Sequence, residues 1–428
     1  MLFGSHDKWL YSLALAVSLG ACSRSHMEPV ELQGHPAMVD EAGKRRLWVL
    51  RKQEEIRQVS LGGGSRRSST WRTDTFFHFS LQAFDPLTAR PLWTQRLLTL
   101  GDPNARNFST SKVIGSTASA RLMGQDGEAV WLLIDSKPFA VSVHDGHVVA
   151  DVAAIERRNP ALKGLLPAEA KYYSFDRGLV VMTADARSMV IRGASLQATD
   201  YAPAPSPIPE PDRYANGRER LAPVLPYGEV PARQVTLDGQ WLGLYTQREA
   251  ADATSDPFGT HHRYPYTVLN DGPQARRTFW RGTIVEAQNF DDRFHRIDSV
   301  EPVAGASVFL KGRFVKDPAN NGTPLAMKAP DGVLVWHSTR IDEAGRLALT
   351  RLDAALKPVW KTELPLSETG TVNQVSVWLL PGQLVAMGGE LSVADDVRGR
   401  EQHLVTVDLA TGRWEGWNMS LERELPGR

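Results

Sequence analysis

Five Asp-Gly pairs, at 126, 145, 238, 271 and 331, punctuate the chain between short apolar runs. That spacing restricts it to antiparallel β-structure, because Asp-Gly tolerates the positive φ that a two-residue type I′ hairpin needs at both central positions. The runs include Leu47–Leu50, Phe77–Ala83, Val130–Ile134, Phe139–Val143, Leu179–Met182, Trp241–Tyr245, Val333–Trp336, Leu347–Leu352 and Leu404–Leu409. Several alternate with period two, so one face turns inward and the other outward. Pro381-Gly382, between Trp378–Leu380 and Gln383–Val385, suits a type II turn. The best helical candidate, Ala153 to Leu166, is interrupted by Pro160.

A chain of 428 residues is long for one ordinary domain. Repetition explains the length better than separable domains do. The last segment parses as a four-strand meander: 374–380, 383–390, 402–409 and 413–419. A second runs from about 325 to 364, and looser copies centre on 45–98, 119–153, 171–201 and 233–285. Units of roughly 40 to 60 residues are the sequence mark of propeller blades. The expected fold is all-β: a single β-propeller of six to eight four-stranded antiparallel blades spanning 44–428, with insertions near 203–222 and 249–262. The first insertion opens with Tyr201–Pro211, whose alternating prolines favour extended polyproline II and read as a semi-rigid connection.

One strand-turn-strand recurs. AFDPLTARPLW at 83–93 has echoes in RLDAALKPVW at 351–360 and VDLATGRWEGW at 407–417. Asp85 can accept from the amides just ahead of it in an Asx-type turn, and Gly412 stands where the third copy needs positive φ. Ala89 takes that place in the first copy, at some strain. The pattern resembles the D-x-x-T-G-x-x-x-W element of the quinoprotein-like (PQQ-type) β-propeller superfamily. Asp85 and Trp93 match its spacing; Asp353 to Trp360 is one residue short, and Asp408 to Trp417 is one long, with Trp414 nearby. The resemblance implies that each tryptophan wedges against the neighbouring blade. It also implies a vicinal cysteine pair in the quinone-dependent enzymes, which a chain with one cysteine lacks. The chain is closer to the non-enzymatic bacterial lipoprotein branch, which works by contacts, and no cofactor is expected.

That one cysteine is Cys22. Trp9–Ala21 is an apolar run too short to span a bilayer comfortably and reads as the core of a signal peptide over 1–21. It ends in Leu19-Gly20-Ala21-Cys22, which resembles the lipobox of bacterial lipoproteins. The resemblance implies diacylglyceryl attachment at Cys22, and Ser23 after it implies the outer membrane, facing the periplasm, in a Gram-negative cell. Residues 22–43 show no sustained period and read as a tether to the folded body.

Basic and acidic residues balance at 49 each, so no nucleic-acid footprint is visible in the net charge. Candidate chemistry is sparse. His144-Asp145-Gly146-His147 would set two imidazoles across a hairpin turn, but two ligands do not make a metal site, and they read as solvated turn histidines. The densest group of ligand types is His261-His262 with Asp252, Asp256, Asp291, Asp292 and His295, along a long loop from Glu249 to Thr260. It has no H-E-x-x-H or comparable spacing. Asp317–Gly322 lacks the alternating oxygen ligands of a calcium loop, and Gly62–Arg67 lacks the lysine and helix of a phosphate loop. The sequence therefore points to a lipid-anchored envelope module that binds a protein partner. The rival is a metal-dependent hydrolase, lyase or oxidoreductase using the propeller channel or the 249–295 region.

Overall fold

The structure, a computed structural model, describes residues 24–60, 71–101, 119–202, 234–237, 240–255, 276–289, 292–317, 323–324, 332–341, 345–367, 375–391 and 400–427. Strand is their main secondary structure, about 62% of it by residue, and every ladder is antiparallel. The first sheet holds β1 (Arg24–Met27), β2 (Glu31–Glu41), β3 (Lys44–Ser60), β4 (Trp71–Phe84) and β5 (Pro91–Leu100), in the order β1-β3-β4-β5 with β2 also on β3. Next come two plain meanders: β6 (Ala120–Asp126), β7 (Ala129–Ile134), β8 (Lys137–Ser142) and β9 (Val148–Ala150), then β10 (Tyr173–Phe175), β11 (Leu179–Met182), β12 (Ser188–Ile191) and β13 (Ala198–Asp200).

The fourth sheet runs β14 (Gln234–Leu237), β15 (Gln240–Tyr245), β16 (Arg276–Asn289) and β17 (Asp292–Pro302), then β18 (Phe309–Phe314). After the small pair β19 (Lys316–Asp317) and β20 (Thr323–Pro324), it continues through β21 (Val333–Ser338), β22 (Arg346–Leu352) and β23 (Pro358–Ser367). It is two meanders joined at one corner. Only Arg276 and Arg277 of β16 reach β18, while Trp280–Asn289 pair with β17. The fifth sheet is β24 (Ser376–Leu380), β25 (Gln383–Leu391), β26 (Arg400–Asp408), β27 (Trp414–Asn418) and β28 (Arg423–Leu425).

These strands fall into two compact units, Met1–Ala83 with Leu92–Tyr201, and Phe84–Pro91 with Ala202–Arg428. Within each, consecutive meanders pack face to face. In the first unit Val130, Leu132 and Ile134 of β7 join Trp48, Phe79 and Leu81, while Ala129, Trp131 and Leu133 join Leu179, Val181 and Ile191. A strand covered on both faces has no polar side, which is why AVWLLI is apolar throughout and wholly buried. In the second unit β21 does the same: Leu334 and Trp336 pack toward Leu384 and Val405, and Val333 and Val335 toward Leu242 and Phe279.

Among the described residues, the three copies of the turn read from the sequence are joined by similar turns that include those at 142–147 and 192–196. Each copy carries a positive-φ residue: Ala89 at 56°, Gly146 at 70°, Leu196 at 54°, Leu356 at 62° and Gly412 at 74°. In the two aspartate copies nearest the motif, the amide of Asp85 donates to Arg90 O (2.9 Å) and that of Asp408 to Arg413 O (2.8 Å). Trp93 and Trp360 each stand four residues after the positive-φ residue of their own turn, and each ring covers the glycine of a later one. A β-carbon on Gly146 would lie 2.7 Å from the Trp93 ring, and one on Gly412 would lie 2.7 Å from the Trp360 ring. Trp360 Nε1 also donates to Leu409 O at 3.1 Å. The third copy departs: Trp414, not Trp417, enters the core, and Gly416 occupies the place of the docking tryptophan.

Four expectations change. Residues 24–27 and 31–41, read as tether, are strands whose backbones pair along β3, from Arg24 opposite Gln58 to Glu41 opposite Lys44. The Asp-Gly turns are not type I′ hairpins where they are described: Asp126 pairs with Ala129 as strand, leaving Gly127-Glu128 as the loop, and Gly146 ends a wider turn from Ser142 to His147. Positive φ at both loop residues occurs instead at Ala42-Gly43 and Asp135-Ser136. Ala153–Leu166 shortens to helix α1 (Val152–Arg158), capped by Asp151 and ended where Pro160 starts a 3₁₀ turn. Part of the expected loop at 249–262 is helix α2 (Gln247–Ser255). The insertion at 203–222, the signal segment and Cys22 lie outside the described residues.

Removing the indole in Trp360→Ala should cost about 3 kcal/mol of stability. Gly412→Ala should be destabilising too, through positive φ and through the clash with that ring. In the double variant the clash is gone, so the Gly412→Ala step should cost less there than in wild type, as urea denaturation of the four proteins would register.

Candidate functional site

Of the candidate metal ligands singled out by sequence, only those of the 144–147 turn are described in full. His144 and His147 do not converge. His144 is held between two carboxylates, Nδ1 to Glu41 Oε1 at 3.1 Å and Nε2 to Glu128 Oε2 at 3.0 Å, while His147 Nδ1 pairs with Asp145 at 2.6 Å. Glu41 raises the His144 pKa above the ordinary imidazole value, and His144 in turn lowers that of Glu41. Both ring nitrogens face carboxylate oxygens, so this histidine ties Glu41 to Glu128 and leaves no nitrogen turned to a metal. Asp256, His261, His262 and Asp291 lie outside the described residues; Asp252 sits in α2, and Asp292 and His295 in β17. Among the described residues no group of three His, Cys, Asp or Glu side chains is arranged to hold a metal ion. No helix among them is long and apolar enough to cross a membrane.

Sequence reasoning missed a polar network whose cross-strand contacts join residues 18 to 30 apart. It runs across four strands of the first sheet. Ser25 Oγ of β1 donates to Glu55 Oε1 of β3 at 2.5 Å, and His78 Nε2 of β4 pairs with Glu55 Oε2 at 2.9 Å. His78 Nδ1 lies 2.9 Å from Thr99 Oγ1 of β5, and Arg96 Nη2 lies 2.5 Å from that nitrogen and 2.6 Å from that hydroxyl. Arg57 clasps Glu55 with two nitrogens, at 2.6 and 2.9 Å, and stacks over Phe76. The clasp, followed by the Ser25 hydroxyl, holds the Glu55 carboxyl down at about 2. A legible signal existed: Glu55 and Arg57 share one face of β3 by period two.

The second network holds the 249–295 region. Arg277 is buried and Glu249 partly so, paired through Nε–Oε2 at 3.1 Å and Nη2–Oε1 at 3.2 Å. Glu249 also accepts from the Thr246 amide (2.8 Å), and its own amide donates to Thr246 Oγ1 (3.2 Å). Thr246-Gln-Arg-Glu249 is thus a reciprocal capping box that starts α2, a four-residue signature the loop reading passed over. His337 of β21 is buried between Thr350, 2.9 Å from its Nε2, and the Phe309 ring, and burial pushes it down to about 4. His403 spans two meanders, with Nδ1 2.7 Å from Pro365 O and Nε2 3.3 Å from Glu401. In the same unit the Thr406 hydroxyl donates to Pro86 O at 2.7 Å, and Arg90 pairs with Glu424 at 3.1 Å.

Chemically these are closed circuits. Glu55 and Glu249 are each answered by an arginine, and the imidazoles of His144, His337 and His403 are each engaged through both nitrogens. Such circuits orient strands, and fold alone assigns no reaction to them. Comparison with known proteins adds no identity: no family model matches the chain, and no curated protein matches it either.

Two measurements test this account. Glu249→Ala leaves a buried guanidinium without its carboxylate and should destabilise by about 3 to 5 kcal/mol in urea, whereas Glu249→Gln, which keeps a cap acceptor, should cost less. His337 takes up its proton near 6.5 when unfolded and near 4 when folded. The unfolded state therefore binds more protons between those values, and stability should fall by about 3 kcal/mol as pH drops from 7 to 4. That part of the loss should vanish in His337→Gln.

Proposed function

We propose that the chain is a lipid-anchored cell-envelope β-propeller acting as a protein-binding or scaffold module. The observation that carries this is the tryptophan over a later turn's glycine, made in the same register by Trp93 on Gly146 and Trp360 on Gly412. It is the contact expected of the PQQ-type repeat, here in a chain whose sole cysteine is at the lipobox. The six meanders among the described residues fit the low end of the expected six to eight blades. The anchor is the acyl group on Cys22, and acyl chains contribute about 0.8 kcal/mol per buried methylene without a spanning helix. A partner binds through loops on one face, 203–222 and the segment after α2 among them, because irregular insertions are where a repeated scaffold carries specificity.

Palmitate fed to cells should label the wild-type chain and not Cys22→Ala; an unlabelled wild type refutes the anchor. Deleting 203–222 should leave the fold intact and deplete a co-purified envelope protein, whereas undiminished co-purification removes that loop from the interface. Bound metal together with turnover in the purified protein would turn the reading toward a metal-dependent enzyme.

A further inference from the structure

The chain enters the first sheet abruptly. Arg24 already pairs with Gln58, two residues after Cys22, and an extended chain covers at most about 3.6 Å per residue. In the sequence, Ser23 alone separates Cys22 from this paired strand. Ser25, the next residue of that strand, donates directly into the Glu55 network. An acyl group at position 22 would bring this part of the sheet to the bilayer surface with almost no slack.

What the sheet presents there is a positioned cation. Arg57 is neutralised by Glu55, and Asp74 on the same face is buried. Arg96 is exposed, and its hydrogen-bond partners among the described residues are the Thr99 hydroxyl and the His78 ring, neither of them a carboxylate. One of its three nitrogens makes both contacts, so the guanidinium is oriented while most of its five N–H donors stay available. A planar fork of that kind matches a phosphate oxygen pair. On β1, Met27 exposes 44% of its surface, an apolar side chain beside the same network.

We propose that this part of the first sheet is a phospholipid-headgroup contact, in which Arg96 engages the phosphate of an anionic lipid and fixes how the protein stands on the membrane. The inference rests on the lipid-anchor reading of Cys22. It adds that the anchor is not a flexible leash, and that the protein has a second, charge-based hold on the same bilayer. An acidic protein surface is the other chemistry Arg96 could meet. The membrane is favoured because the attachment residue is two positions from the sheet.

The test uses the chain from residue 22 to 428 with Cys22→Ser, which keeps every described residue and removes acylation. Flotation with phosphatidylethanolamine vesicles, with and without phosphatidylglycerol, reads the affinity. We expect binding to the phosphatidylglycerol vesicles alone, weakened by salt, about fivefold weaker in Arg96→Gln, and intermediate in Arg96→Lys, which keeps the charge and loses the fork. Arg158→Gln, an exposed arginine outside the network, should bind as the parent does. Thermal melts of each variant separate lost binding from lost folding. No binding to anionic vesicles, or equal binding by the parent and Arg96→Gln, overturns the proposal. Palmitate labelling of the wild-type chain in cells is scored separately. Label present with charge-independent flotation sinks this inference alone, whereas label absent sinks the anchor reading whatever the vesicles show.

Discussion

Everything else in each unit depends on faces of β-sheet being covered by other faces of β-sheet, and the contact that sets their spacing is an indole ring lying on a glycine. Trp93 covers Gly146 and Trp360 covers Gly412, with no room for a β-carbon in either case. The glycine must also hold positive φ to turn the strand. Two demands therefore meet at one residue, a backbone conformation and an absent side chain, and only glycine satisfies both. Other turns of this kind relax the second demand. Ala89, Leu196 and Leu356 hold the same conformation with a side chain present, and accept the strain.

Polar chemistry is arranged around this packing. β3, at 17 residues, is longer than the apolar core it contributes to, which takes Trp48 and Leu50. Beyond Leu50 the strand continues through Arg51, Glu55 and Arg57, and there the sheet is held by charged ladders in place of side-chain volume. Arg51 reaches Gln82 at 2.8 Å, and Glu55 gathers Ser25, Arg57 and His78. Partly buried ions are costly unless answered, so a strand that extends in this way needs partners on its neighbours at matching positions. The first sheet supplies them from β1, β4 and β5.

The sequence reading succeeded where the physics is local and failed where it is not. Period-two runs such as Phe77–Ala83 and continuous runs such as Val130–Ile134 announced strands, because burial on one face or two writes itself directly into residue order. The glycine and aspartate of 408–412 announced a turn. Two further copies of that turn, ending at Gly146 and Leu196, stayed hidden because the hydrogen-bonded frame is made by backbone and tolerates other side chains. Residues 24–41 looked like a tether because β2 is mostly half-exposed and its pairing with β3 is a backbone matter, indifferent to pattern. The networks around Glu55 and Arg277 could be read from spacing only in fragments. Most of their members meet only after the strands have paired; the period-two pair Glu55 and Arg57 says nothing of His78, and Thr246-x-x-Glu249 marks a helix start and says nothing of Arg277 28 residues on.

The loss of the tether alters what a lipid anchor at Cys22 would do. A flexible leash of twenty residues would let the folded body sample all orientations, and a partner-binding loop would find its target by diffusion over the reach of the leash. A strand that is fixed by Arg24 removes that freedom. An anchor there would restrict which edge of the first sheet is near the membrane, and charges beside β1 would become part of the attachment. For a scaffold this is the more useful arrangement, because orientation settled by the anchor is entropy that need not be lost again when a partner binds.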